Sequence, residues 1–156
     1  MYSLTLLTKF ILPKLLERSK KNKKSLIINL SSQASLIPTP YFADYAGTKA
    51  FNDRLSKGLY YELKPMGIDV LSVKPGVVAT SINYMKPSFM RTITVDSCVK
   101  GILGNATHQE CYGGWVHEIH GFFAKCFIMD LVPFKWQLEG MKRMAAKVKE
   151  TFKAKS

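Results

Sequence analysis

The sequence predicts an α/β fold in which helices cover both faces of a parallel sheet. Helical and strand-like patterns alternate along the 156 residues, and such alternation favours parallel pairing through right-handed crossovers. The strand-like segments are unbroken apolar runs, as is typical of strands buried on both faces. A sheet of only the three predicted strands would leave a long unpaired edge on the first one. The layout therefore resembles the second half of a larger sheet.

Two predicted helices flank the first strand. Apolar residues at helical spacing predict a helix over residues 3–18, which Pro13 kinks. After a lysine-rich turn, the apolar run 25–31 predicts a buried strand. A second helix is predicted over residues 43–64, and Pro65-Met66-Gly67 ends it.

Four further elements are predicted after residue 67. Pro75-Gly76 closes the second strand, and Gly113-Gly114 precedes the third. Residues 80–91 carry no regular pattern. The predicted order is strand 68–73, helix 94–107, strand 115–119 and an amphipathic helix over 135–152.

The net charge of +12 has two main sources, residues 18–24 and residues 142–155. It suits a solvated loop and helix face, or attraction to an anionic membrane surface or to phosphate-bearing ligands. No recognised nucleic-acid-binding motif accompanies it, so we expect no nucleic-acid partner. The apolar segment 121–134 is too short to span a bilayer alone, and the first residues lack the basic start and cleavage site of a signal peptide.

Cysteine and histidine usage predicts neither a disulfide framework nor a metal site. Cys98, Cys111 and Cys126 show no paired spacing, which suits a reducing compartment. His117 and His120 are three residues apart, which is not the metalloprotease pattern, and no third ligand is in view. We therefore interpret both as ordinary histidines.

One group of residues in the first half of the chain predicts redox chemistry. Ser32 follows the first strand, and Tyr45 and Lys49 are four residues apart, so their side chains share a helix face. A nearby ammonium group favours the phenolate form of a tyrosine, so Tyr45 is expected to donate a proton near neutral pH. Ser32 would pair with the oxygen that is protonated. These groups suit reduction of a ketone or oxidation of an alcohol when another group supplies hydride.

The same residues have an ordinary structural interpretation. Tyr45 and Lys49 would then be a surface tyrosine and a solvated lysine. Ser32 would be a capping or loop hydroxyl, since Ser31 and Ser35 are its neighbours.

Three linked motifs resemble the short-chain dehydrogenase/reductase superfamily. Ser32 precedes Tyr45 by 13 residues, Tyr45-x-x-x-Lys49 follows, and residues 75–80 are similar to the Pro-Gly-x-Val-x-Thr segment beside the nicotinamide. The resemblance implies a Rossmann-like, doubly wound parallel sheet, incomplete here and limited to its C-terminal strands and helices. It implies that Tyr45 transfers the proton, that Lys49 hydrogen-bonds the nicotinamide ribose and that Ser32 donates to the substrate oxygen.

The resemblance also implies a cofactor, which is NADPH, with NADH left open, and no metal. Thr80 and the backbone of Val78 would hold the carboxamide, and Gly76 would let the chain approach the nicotinamide ring. The alternative for this segment is an ordinary strand-to-loop turn. The implied cofactor-binding residues are Tyr45, Lys49, Pro75, Gly76, Val78 and Thr80.

Within the superfamily the chain resembles the branch of 17-beta-hydroxysteroid dehydrogenases and very-long-chain 3-oxoacyl-CoA reductases. This resemblance is carried by residues 10–13 with 17–20, by 28–32 and 38–40, and by 114–117 ahead of the hydrophobic stretch 122–134. It implies a lipophilic ketone or alcohol as substrate, either a steroid or a 3-oxoacyl-CoA of fatty acid elongation. It also implies a place at the endoplasmic reticulum membrane or its cytoplasmic face, with the cytoplasm as the alternative. A group of apolar residues would form one wall of the substrate site. An equal alternative is that they are ordinary core or membrane-facing surface. The group comprises Tyr84, Met85, Phe89, Met90, Phe122, Phe123 and Phe127.

The family's glycine-rich dinucleotide turn, Thr-Gly-x-x-x-Gly-x-Gly, is absent from the sequence. We therefore expect residues 1–120 to form the C-terminal half of a Rossmann domain, and residues 121–156 a hydrophobic and basic extension. The resulting interpretation is an NADPH-linked reductase, truncated and weakly active or inactive alone. One alternative is a non-catalytic dimerisation module that forms homo- or hetero-oligomers through helices 3–18 and 43–64. The other is a module that binds peripherally to a membrane.

Overall fold

The fold was analysed in a computed structural model that describes residues 2–81, 86–88 and 92–128 and, beyond them, 133, 135, 136, 138–140, 142, 143, 146 and 150. The helices are α1 (Tyr2–Lys20), α2 (Ala43–Leu63), α3 (Val95–Gly104) and α4 (Trp115–Phe123). The strands are β1 (Ser25–Leu30), β2 (Ile68–Val73), β3 (Val77–Ala79), β4 (Thr92–Thr94) and β5 (Glu110–Cys111). Short turns of other helix types cover Gln33–Ser35, Lys64–Met66 and Ala124–Ile128.

Two parallel sheets organise these elements. The larger one has the order β1-β2-β5, and its first two strands pair from Ser25 with Ile68 to Leu30 with Val73. The short strand β5 pairs with the end of β2, so that Cys111 lies opposite Val73. The smaller sheet pairs β3 with β4. Helices pack on both faces of β2, the central strand of the larger sheet, which agrees with the predicted doubly wound α/β arrangement.

The two faces of β2 pack in different clusters because successive side chains of a strand point to opposite faces. Ile68 and Val70 pack with Leu63 of α2 and with residues of α1. Leu71 and Val73 pack on the other face with Cys111 and with Ile102 of α3. All four β2 side chains have no exposed surface.

On β1 the second of these faces is bare. Leu26, Ile28 and Leu30 alternate along the strand and remain exposed, up to 56% at Leu30. In the parallel register Ile28 and Leu30 lie beside Leu71 and Val73, which α3 covers. The apolar layer of this face therefore ends at β2, and the stripe Leu26, Ile28, Leu30 extends it into solvent.

The first half of the chain follows the predicted elements closely. Helix 3–18, strand 25–31, helix 43–64 and strand 68–73 correspond to α1, β1, α2 and β2 within two residues at each end. The predicted helix 94–107 is α3, which ends three residues earlier, at Gly104.

The second half differs from the prediction at the third strand of the sheet. The predicted strand 115–119 is wrong, because α4 occupies these residues and the third strand of the sheet is β5. A short apolar run does not distinguish a strand from a helix, and the buried residues Val116, His117 and Gly121 share a helical face. Residues 80–91 are predicted to be irregular, and those of them that the structure describes, 80, 81 and 86–88, lie in no helix or strand apart from an isolated bridge between Ser88 and Thr92.

The predictions for the C-terminal segment fall partly on described residues. The described positions of the predicted helix 135–152 are helical, and its other residues lie outside the described part of the chain. The division at residue 120 stays a prediction, although α4 continues across it. Among the described residues, no helix has both the length and the apolar character needed to cross a bilayer.

Candidate functional site

The site lies at the carboxyl end of β1, where α2 is bonded to the strand. The Lys49 Nζ atom donates to the Leu30 carbonyl oxygen at 3.0 Å, and the amide of Asn52 donates to the same oxygen at 3.3 Å. In return, the Ser31 hydroxyl donates to the Lys49 carbonyl oxygen at 2.6 Å. These three hydrogen bonds hold one face of α2 against the carboxyl end of β1.

Tyr45 lies on the same face of α2, one turn before Lys49. The Lys49 Nζ atom is 5.7 Å from the centre of the Tyr45 ring, which is within the range of cation–π attraction. Tyr45 is 47% exposed, so solvent or a ligand can reach it. The structure therefore places the Lys49 ammonium group beside the Tyr45 ring, and the same group is bonded to the strand end.

Ser32 follows β1 and has the capping geometry that the structural interpretation describes. Its Oγ atom accepts a hydrogen bond from the amide of Ala34 at 3.2 Å and begins the turn Gln33–Ser35. Accepting this bond uses a lone pair, and the hydroxyl hydrogen can still be donated. Capping and donation to a substrate oxygen are therefore compatible roles for Ser32.

The segment 75–80 leaves the carboxyl end of β2, the strand next to β1. Gln33 donates its backbone N–H to the Pro75 carbonyl oxygen at 3.1 Å, which joins this segment to the turn after Ser32. Val78 lies in β3 and packs against a cluster of α3, α4 and β4 residues. Thr80 is exposed just after β3. The strand ends bring the Ser32 turn and the Pro75-Gly76 segment together, as expected at the carboxyl edge of an open parallel sheet.

No pattern in the sequence indicated the role of His117, the third residue of α4. Its side chain is fully buried, and its Nδ1 atom accepts a hydrogen bond from the Gly76 N–H at 3.1 Å. The carbonyl oxygen of His117 accepts a bond from the Gln33 amide at 2.8 Å. No metal-binding group of three or more His, Cys, Asp or Glu side chains occurs among the described residues.

A second unpredicted feature is a partly buried group of charges that includes Lys74, the residue before the 75–80 segment. Lys74, which has no exposed surface, bonds to Oδ1 of Asp53 at 3.1 Å and pairs with Glu110. Lys57 bonds to Oδ2 of Asp53 at 3.1 Å and to Oε2 of Glu110 at 2.7 Å, and Lys125 to Oε1 of Glu110 at 2.6 Å. These five residues, here called the ion network, join α2, β5, the end of β2 and the turn after α4.

Burial raises the pKa of Glu110, but hydrogen bonds from Lys125, Lys57 and Lys74 outweigh it and lower that pKa to about 2. Burial also raises the pKa of Asp53. The hydrogen bond from Ser72 and the charges of the nearby lysines outweigh it and lower that pKa below its usual range.

The pKa of Lys74 is lowered, because burial disfavours its charge more than its partners favour it. Lys57 loses less to burial, and its bond to Glu110 and the charge of Asp53 raise its pKa. The pKa values of Lys57 and Lys74, two of the three lysines of the ion network, therefore shift in opposite directions although both contact Asp53 and Glu110.

The predicted apolar wall is visible only in part. Phe122 and Phe123 of α4 are more than half exposed and contact each other edge to face. Tyr84, Met85, Phe89 and Met90, and the side chain of Phe127, lie outside what the structure describes.

Together, the parallel sheet and the Tyr-x-x-x-Lys helix at its carboxyl edge define a partial Rossmann-like α/β protein. A family model described as short chain dehydrogenase matches residues 1–90. The chain belongs to the short-chain dehydrogenase family, as its motifs predict.

Curated relatives support the same assignment. The very-long-chain 3-oxoacyl-CoA reductase of Anas platyrhynchos is 38% identical over 122 residues, covering 72% of this chain and 38% of that protein. The Mus musculus protein of the same name is 34% identical over 115 residues, covering 73% of this chain and 36% of that protein. The chain thus matches less than two fifths of the length of either relative.

Solved structures show the same fold. A short-chain dehydrogenase from Burkholderia cenocepacia in complex with NADP superposes with a TM-score of 0.66 at 22% identity, covering 84% of this chain and 53% of that one. One from Sphingobium yanoikuyae in complex with NADPH superposes with a TM-score of 0.59 at 28% identity, covering 72% of this chain and 44% of that one.

Proposed function

We propose that this chain forms the proton-transfer part of a nicotinamide-dependent ketone reductase that acts on a 3-oxoacyl-CoA. The observation that carries the proposal is the position of Lys49, which is bonded to the last residue of β1 and lies beside the Tyr45 ring. This fixes an ammonium group and a phenol at the strand edge where ligands bind in open α/β sheets. The names of the curated relatives support the acyl-CoA substrate class.

In this proposal each residue acts at one atom of the substrate or cofactor. The Tyr45 hydroxyl donates its proton to the carbonyl oxygen as the oxygen gains negative charge, and the Lys49 ammonium group stabilises the phenolate that remains. The Ser32 hydroxyl donates a hydrogen bond to the same oxygen. A bound nicotinamide cofactor would supply the hydride.

The residues present fit the nicotinamide end of such a cofactor. Lys49 at the end of β1 and residues 75–80 after β2 adjoin each other at one sheet edge. The glycine-rich turn that would bind the pyrophosphate is absent from the sequence. We therefore propose that the 156 residues alone bind the cofactor weakly and have little activity. We also propose a preference for NADPH over NADH, with a steroid ketone as the alternative substrate.

The test is NADPH-dependent reduction of a long-chain 3-oxoacyl-CoA by the purified chain, with a steroid ketone run in parallel. We expect slow turnover that Tyr45→Phe abolishes. Tyr61→Phe is the matched control, because Tyr61 is an exposed tyrosine on the same helix. Equal rates for the two variants would contradict the role of Tyr45, and micromolar or tighter NADPH binding would contradict the proposed weakness.

A second candidate function is that of an oligomerisation module, and α1 favours it. Leu6, Leu7, Phe10 and Ile11 are exposed on this helix, whereas Leu12 and Leu15 pack in the core. We propose that the exposed side of α1 binds a second copy or a full-length relative. Light scattering of Leu6→Ser with Phe10→Ser should show loss of the larger species, and Lys9→Ser on the same helix should retain it.

Membrane association at the endoplasmic reticulum is proposed on the basic residues. Lys20, Lys21, Lys23 and Lys24 are exposed around the turn after α1, where they can attract an anionic bilayer surface. Flotation with vesicles that contain anionic lipid should be lost at high salt. Flotation that is unaffected by salt would contradict an electrostatic attachment.

A further inference from the structure

Two hydrogen bonds connect α4 with the two loops of the candidate site, and a third joins the loops to each other. The Gly76 N–H donates to His117 Nδ1, the Gln33 side chain donates to the His117 carbonyl oxygen, and the Gln33 backbone N–H donates to the Pro75 carbonyl oxygen. The distances are 3.1, 2.8 and 3.1 Å. Pro75, Gly76, Gln33 and His117 therefore form a closed circuit, and Gln33 is the residue next to Ser32.

The space around Gly76 is filled by the same two partners. A Cβ atom on Gly76 would lie 2.9 Å from Gln33 Oε1, 2.9 Å from His117 Nε2 and 3.0 Å from His117 Cδ2. These separations are too short for a side chain. Glycine is thus required here by packing against Gln33 and His117, in addition to any approach of a cofactor.

The position of α4 does not depend on this circuit. Gly121 of α4 packs so closely on the Tyr112 ring that any side chain there would clash, and Glu118 Oε1 accepts from the Tyr112 N–H at 2.7 Å. Gly113, with φ of +78°, packs against Gly101 of α3. Contacts outside the site therefore fix α4, and α4 presents His117 to the loop.

We propose that His117 is a positioning residue that sets the Pro75-Gly76 segment at a fixed distance from the turn that carries Ser32. The inference rests on the proposed function, since these are the two loops that would enclose the nicotinamide and the carbonyl carbon. Because the Gly76 N–H donates to His117, it is not a hydrogen-bond donor to a ligand in the site. Gly76 therefore contributes only the space left by its missing side chain. The Nδ1 atom accepts this bond and therefore carries no proton.

The test uses NMR spectroscopy of the full chain and needs no nucleotide. In the wild-type protein, a through-hydrogen-bond coupling is expected between the Gly76 amide nitrogen and His117 Nδ1. In His117→Leu, exchange of the Gly76 amide should accelerate roughly tenfold, as loss of one hydrogen bond predicts, and the Ser32 and Gln33 amides should shift. His117→Asn, which keeps an acceptor near the Nδ1 position, should restore most of the wild-type behaviour.

Amides of the β1–β2 pairing, such as that of Ser25, which donates to the Gly67 carbonyl oxygen at 3.3 Å, serve as the internal control and should not change. The proposal is overturned if the wild-type coupling is missing or if His117→Leu and His117→Asn have equal effects. It is also overturned if exchange of the β1–β2 amides accelerates as much as exchange of the Gly76 amide. Titration with NADP⁺ separates the two proposals. An intact circuit in a chain that binds no NADP⁺ would contradict the proposed function and leave the positioning role standing.

Discussion

The Nζ atom of Lys74 lies 3.1 Å from Oδ1 of Asp53 and has no contact with solvent. Lys74 is the last residue before Pro75-Gly76, and Asp53 lies one turn after Lys49 on α2. The pair therefore joins the strand end that leads into the cofactor segment to the helix that carries the proposed proton donor. Charges buried in this way are costly to leave without a partner, so the ion network should be sensitive to single substitutions.

Asp53→Asn should strongly destabilise the fold. The substitution removes one of the two carboxylates that compensate Lys74 and Lys57, and breaking a buried pair typically costs about 3–5 kcal/mol. Urea unfolding measures the loss of unfolding free energy. Lys100→Gln is the control, since it breaks an exposed pair with Asp96 and should cost at most about 1 kcal/mol. Similar losses in the two variants would contradict the importance of burial.

Acid should weaken the fold through Glu110. Its pKa falls from 4.5 in the unfolded chain to about 2 in the folded protein, so the unfolded chain binds more protons in this range. The carboxylate therefore contributes its stabilisation above about pH 4.5 and loses it as the pH falls towards 2. The lowered pKa of Asp53 acts in the same direction.

The difference at Glu110 corresponds to roughly 3 kcal/mol. Urea unfolding between about pH 7 and about pH 3 should show about 2 kcal/mol of this decline in the wild-type protein and a smaller decline in Glu110→Gln. If the two proteins lose stability in parallel over this interval, Glu110 is not the titrating group.

Gly76→Ala should destabilise the protein by about 1–3 kcal/mol, the usual cost of an overpacked site. The added methyl group would press on Gln33 and His117, and the Gln33 side chain cannot easily move because it is bonded to the His117 carbonyl oxygen. Gly47→Ala is the matched control. Nothing lies within 4 Å of a Cβ atom there, so alanine in the helix should stabilise by up to about 1 kcal/mol. Thermal unfolding of both variants should show midpoints that move in opposite directions.

Ser32 can be tested for its two roles separately. Ser32→Ala should lose about 1 kcal/mol of stability with the cap to Ala34, whereas Ser32→Asn should keep the cap. If the hydroxyl also serves the substrate oxygen, both variants should reduce any measured turnover, although only the alanine variant unfolds earlier. Full activity in Ser32→Asn would show that the serine is a cap alone.

The sequence predicted the parts of this protein that depend on local spacing. The four-residue interval between Tyr45 and Lys49 places them on one helix face, and the apolar runs around Ile28 and Val70 predict adjacent parallel strands. These features hold because their causes lie within a few residues of each other. The family motifs extended the prediction to the sheet edge and to the segment 75–80.

Contacts between distant residues could not be predicted in this way. Gly76 and His117 are 41 residues apart, and Lys74 and Glu110 are 36 apart, and no spacing rule connects either pair. The strand assigned to 115–119 was wrong for a related reason. The close packing of Gly121 on Tyr112, which accommodates α4, becomes visible only once the chain is folded.

The apolar stripe Leu26, Ile28, Leu30 has a practical consequence for handling the protein. Three aliphatic side chains in a row on a strand make a ready template for adhesion between molecules. Concentrated preparations are therefore expected to precipitate unless a companion polypeptide or a mild detergent shields that strip. The amount of purified chain that stays in solution is thus a simple assay for a molecule that binds this stripe.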